Sequence, residues 1–154
     1  KEVLPTIDRA VAANPSSVPS RLAQIGLQLR LNTPKAALAA AQSAAAALPD
    51  NAQILTALGR TQLAAGEPNQ AIASFNKLAT LLPQSPEPLM LAARAHLAKK
   101  DFSAAPAALQ KALAVQPGRL DVYRAALASG RASQPSLDEV LEARLAPRNP
   151  FFST

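Results

Sequence analysis

Two arginines, Arg60 and Arg94, stand 34 residues apart, and few other side chains in this sequence are spaced for chemistry. A guanidinium is a planar fork of donors that matches a carboxylate or a phosphate. Two such forks at equivalent places on a repeating structure would make a ladder for an acidic or C-terminal peptide, with Arg124 and Arg131 further along. The competing reading is solvation, with the arginines on exposed helix faces beside Glu87 or Asp121. Exposed pairs of that kind contribute only about 0–1 kcal/mol. Catalytic sets are not found. His96 is the single histidine and there is no cysteine, so no zinc site can be assembled. Ser74 and Lys77 match the spacing of a serine–lysine hydrolase signature, but its companion motifs are missing and Phe75 between them is needed for packing. Asp138, Glu139 and Glu142 suit a helix start better than an acid–base pair. The sequence therefore predicts no enzyme, no cofactor and no metal.

The net charge of +6 raises the question of nucleic acid or an anionic surface. Its basic residues are dispersed, however, and no basic run is interleaved with aromatics on which bases could stack. The densest pair, Lys99-Lys100, falls at an expected helix end, where the helix dipole favours cations. Nucleic acid is not the expected partner. No apolar run of 18 residues is present, so no transmembrane helix is expected.

The elements that position these side chains follow from a period. Pro15, Pro49, Pro83 and Pro117 recur every 34 residues, and other columns keep the same register. Leu29, Leu63 and Leu97 form one, Ala37, Ala71 and Ala105 another, and Leu55, Leu89 and Tyr123 a third. Ile7, Ala41, Phe75 and Leu109 extend the pattern to the start of the sequence. A fixed period of this length marks a helical hairpin copied and stacked on itself. Residues 52–85 show the unit best. Pro49 stops the preceding helix, Asp50 or Asn51 can cap the next, and Ile54, Leu55 and Leu58 begin an apolar stripe that Gln62 continues with a polar group. Gly66 marks a helix stop and Pro68 a restart. Ala71, Ile72, Phe75, Leu78, Ala79 and Leu82 then form the second stripe.

Leu55, Leu58, Gly59, Gly66, Ala71, Phe75 and Pro83 resemble the tetratricopeptide repeat at its characteristic offsets, and residues 86–119 keep most of them. In residues 18–51 Gly26 falls one position late and Arg21 replaces a large apolar residue, so the first helix of that unit departs most from the pattern and is expected to be poorly packed. The resemblance implies an all-α, right-handed superhelical solenoid of helix-turn-helix repeats. Its divisions are a half repeat at 1–17, repeats at 18–51, 52–85 and 86–119, a degenerate terminal hairpin at 120–146 and a tail at 147–154. The half repeat reads as part of a longer array.

In that family the first helix of each unit lines a concave face. The resemblance places Thr56, Arg60, Leu63, Met90, Arg94, Leu97 and Arg124 on a partner-binding groove, with Leu22 and Leu29 beside them. His96 falls where the repeat normally holds a packed tyrosine, which implies a structural role. The chaperone-binding clamp of the family needs asparagines, and Thr56, Ala57 and Ala64 stand in their place, so that activity is not implied. The Ala/Gln/Pro-rich style of residues 51–117 is similar to bacterial repeat lipoproteins found beside exosortase (PEP-CTERM) and exopolysaccharide systems. The expected function is a non-catalytic protein–protein scaffold, periplasmic or elsewhere in the cell envelope, with the cytoplasm as the alternative. A rigid spacer, or a binder of acidic polysaccharide, are the other functions these residues allow.

Overall fold

The computed structural model describes residues 3–116. They form α1 (Val3–Ala13), α2 (Val18–Arg30), α3 (Pro34–Ala47), α4 (Ala52–Ala64), α5 (Pro68–Leu81), α6 (Glu87–Ala98) and α7 (Ala104–Val115). No strand occurs among the described residues. The expected terminal hairpin at 120–146 and the tail lie outside them.

The helix ends obey the period for chemical reasons. Leu48, Leu82 and Gln116 each precede a proline and take φ of −136°, −124° and −135°. A proline ring clashes with helical geometry in the residue before it, so α3, α5 and α7 stop there. Asn51, not Asp50, caps α4: its side-chain oxygen accepts from the Ile54 amide at 3.1 Å. Ser17 performs the same task for α2 through the Ser20 amide at 3.4 Å. The first helix of each hairpin ends in another way. Asn32, Gly66 and Lys100, one period apart, take φ of 54°, 80° and 62°. The amides that follow, Thr33, Glu67 and Asp101, then donate to Gln28, Gln62 and His96 carbonyls at 3.0, 2.8 and 2.9 Å. This left-handed closure satisfies carbonyls of the last turn. Glycine adopts it freely, whereas the Cβ of Lys100 carries a strain of about 1–2 kcal/mol.

Successive helices pack along the chain. In addition α2 touches α4 and α4 touches α6, while α3, α5 and α7 approach one another less. The first helices therefore sit on the inside of the curve. Within each hairpin, two positions 16 residues apart oppose one another: Ile25 and Ala41, Gly59 and Phe75, Ala93 and Leu109. Each pair joins one large residue to one small one. At Gly59 the requirement is strict, because an added Cβ would lie 2.6 Å from Phe75 Cζ and still nearer another ring carbon. Interiors are close-packed, so a fixed gap between helices fixes the summed volume of the pair.

Two expectations need correction. The first helix of the unit at 18–51 is not loosely held. Ile25 is buried and Arg21, only 7 % exposed, donates from Nε to the Pro15 carbonyl and from Nη1 to Ser43 Oγ, both at 3.0 Å. The guanidinium stem supplies apolar bulk and its head finds acceptors, which makes a charged residue tolerable there. The apolar stripe of α4 is also not one surface. Ile54 joins Ile25, Ala41 and Ala44 of the preceding hairpin, whereas Leu55 joins Phe75, Leu78 and Leu91. A helix clamped between two neighbours must be apolar on two flanks.

Candidate functional site

The inner face of α4 and α6 holds most of the predicted groove residues. Arg60 projects from the third turn of α4 and Arg94 from the second turn of α6, both exposed. The two line a shared open cleft of about 590 Å³ with Leu63, Ala64, Leu91 and Ala98. A second opening of about 400 Å³ continues from it past Met90, Ser85 and Glu87. Thr56 lies in an adjoining cleft toward α2 with Leu22, Leu29 and the stem of Arg60. The Thr56 hydroxyl itself is turned into its own helix, donating to the Ala52 carbonyl at 2.8 Å. Leu63 and Met90 are half-buried and pack against the core, so only part of each faces the cleft. Leu97 is half-buried and lines none of these three openings. Arg124 lies outside the described residues.

The electrostatics of the cleft are asymmetric. Arg60 Nη2 lies 3.6 Å from Glu87 Oε1, with side chains 56 % and 63 % exposed. Such an exposed pair is weak enough for a competing carboxylate to displace. Arg94, which lines the same space, has no ion-pair or hydrogen-bond partner among the described residues. The floor is aliphatic and the rim cationic, a combination suited to an amphipathic peptide bearing acidic groups.

The remaining sequence candidates are occupied elsewhere. Ser74 is buried and donates to Gln62 Oε1 at 2.7 Å, the polar link that explains a glutamine in the α4 stripe. Lys77 reaches away to the Pro49 carbonyl at 2.7 Å and to Asp50 at 3.2 Å. Ser74 and Lys77 thus share no site. His96 Nδ1 is 3.3 Å from Asp101 Oδ2. The Asp101 carboxyl is held below its ordinary pKa by the Ser103 hydroxyl first, then by the Ala104 amide, with the His96 ring adding to both. Asp101 was not singled out in the sequence; its place between a helix stop and the start of α7 was the available signal. Glu87, also central to the cleft, was legible only as a possible ion-pair partner. Among the described residues no cluster of histidine, cysteine or carboxylates could hold a metal, and no helix is long and apolar enough to cross a membrane.

Comparison with known proteins agrees with this architecture. Residues 62–130 match the tetratricopeptide repeat family model. Two crystal structures of MamA superpose with TM-scores of 0.73 and 0.68, at 14 % and 13 % identity, over 93 % of this chain and 85 % and 75 % of theirs. The fold is a tetratricopeptide-repeat solenoid. TTC0263, a thermophilic tetratricopeptide protein of Thermus thermophilus, superposes with a TM-score of 0.60 at 19 % identity, over 93 % of this chain and 89 % of that one. Identities this low speak to the tetratricopeptide architecture alone. No curated protein matches the sequence.

Proposed function

We propose that this tetratricopeptide solenoid is a non-catalytic protein–protein scaffold that captures an acidic peptide or helix across α4 and α6. The observation that carries the reading is the placement of Arg60 and Arg94, one period apart, on the rim of one cleft with a leucine floor. Leu63 and Met90, both half-buried, would supply buried area, and the guanidinium groups would select carboxylates over neutral partners. Arg94 would engage first, and Arg60 on release from Glu87. The bacterial envelope is the setting we assign, on the resemblance of residues 51–117 to exosortase-associated repeat proteins.

The test compares wild type with an Arg60→Glu/Arg94→Glu double variant on an array of acidic and neutral helical peptides. Acidic binders should be lost by about tenfold or more in the variant, and wild-type binding should weaken with added salt. Equal binding by both proteins would place recognition on the outer face of α3, α5 and α7. Competition by uronic-acid oligomers but by no peptide would reassign the cleft to acidic polysaccharide. Absence of any ligand would leave a rigid spacer.

A further inference from the structure

Three glycines lie among the described residues, and packing or backbone geometry accounts for two of them. Gly59 makes room for Phe75, and Gly66 takes a φ of 80° at a hairpin turn. Gly26 does neither. It sits inside α2 without a positive φ, and a Cβ added to it would meet nothing within 4 Å. A glycine inside a helix destabilises it relative to alanine, and here neither the turn nor the core requires one. Gly26 stands one period before Arg60 and two before Arg94. The column that carries a guanidinium on α4 and on α6 is therefore bare on α2. The missing side chain leaves a cleft of about 240 Å³ between α2 and α4, with Leu22, Ile25, Leu29 and Ala57 on its walls. The Thr56 hydroxyl donates to its own helix, and the charged group at this cleft is Arg60, which also lines the cleft between α4 and α6. The groove thus runs from an aliphatic end on α2 to a cationic end on α6, with Arg60 at the junction.

We infer that Gly26 sets the specificity of this groove by holding open an aliphatic slot, so that the ligand is an acidic peptide with one aliphatic side chain beside its carboxylates. The inference rests on the acidic-peptide reading of Arg60 and Arg94. Charge complementarity keeps the carboxylates over α4 and α6, and the slot takes the aliphatic group over α2. Neighbouring helix axes stand about 8–10 Å apart, and an extended chain rises about 3.3 Å per residue. In an extended ligand the aliphatic residue therefore falls about three residues from the carboxylate held by Arg60. The slot is large enough for a leucine side chain, whose burial strengthens binding by about tenfold or more.

The test measures binding of the full chain to short peptides that carry two glutamates about three residues apart in a neutral polar background. One leucine is placed at each remaining position in turn. Leucine about three residues outside the glutamate pair should strengthen binding by about tenfold or more, and leucine between the glutamates should not. Gly26→Arg fills the slot and completes the arginine column, in a place where the new side chain meets open space and favours the helix. It should abolish the leucine gain and strengthen binding of peptides with a third glutamate at that place. Leu22→Gln, on the wall of the slot, should weaken the leucine gain by a second route. Glutamate peptides that bind with no leucine gain, or a gain that both substitutions leave intact, overturn the inference and leave the acidic-peptide reading standing. Binding that needs leucine yet is indifferent to Arg60→Glu/Arg94→Glu, or no binding of any peptide, defeats that reading, and the inference falls with it.

Discussion

The hairpins α2–α3 and α4–α5 follow the same backbone course and fill it with different chemistry. In α4–α5 a phenylalanine ring occupies the hairpin interior and glycine makes room for it. In α2–α3 the second helix supplies only alanines, Ala37, Ala41 and Ala44, and the first helix supplies the bulk through Ile25 and the stem of Arg21. A polar link between the two helices appears in both, buried for Gln62 with Ser74 in one and part-buried for Arg21 with Ser43 in the other. The lesson is that the period conserves the distance between helices, and each hairpin is free to divide the resulting volume between its two sides. Residue type at one position is therefore predictable only once its opposite number is known.

The largest effect expected from breaking this comparison lies at the aromatic pair. Phe75→Ala should cost about 3–5 kcal/mol in urea unfolding, since the ring is fully buried. Gly59→Ala should cost about 1–3 kcal/mol by overpacking. Combined with Phe75→Leu, which copies the Ala93–Leu109 pair, the two changes should cost less than their sum. Additive costs would refute volume sharing.

A smaller effect separates the polar links. Ser43→Ala should destabilise by about 0.5–1.5 kcal/mol, because the Arg21 guanidinium loses one of its two acceptors in a part-buried site. Arg21→Leu, which restores the residue type of Leu55 and Leu89, should be neutral or stabilising in the same unfolding assay. A large loss from Arg21→Leu would mean that the charge, and not the volume, holds α2 to the Pro15 turn.

The smallest effect concerns the helix ends. Lys100→Gly should raise stability by up to about 1 kcal/mol by giving α6 the left-handed residue that α4 already has in Gly66. The matching Gly66→Lys change should lower it. Thermal unfolding of the two variants side by side checks the sign.

Much of this was legible beforehand. The proline column dictates where α3, α5 and α7 stop, because the steric effect of a proline on its predecessor is local and independent of the rest of the fold. The stacked all-α arrangement was legible from the repetition of apolar columns, since a hairpin with an exposed apolar side can bury it only against its own copy. The Arg60–Arg94 spacing was legible for the same reason, one period being one step along the array.

Other features required the folded chain. That Asn32 and Lys100 share the backbone conformation of Gly66 is hidden by their residue types and is imposed by the hairpin turn. The Arg60–Glu87 pair joins two different hairpins and depends on how α4 and α6 lie side by side. Burial of Arg21 was decided by acceptors that arrive from the Pro15 turn and from α3, neither of which its local sequence specifies. Local sterics and periodicity are written in the sequence itself. Which polar group meets which partner depends on the angle and spacing between helices, and only tertiary packing sets those.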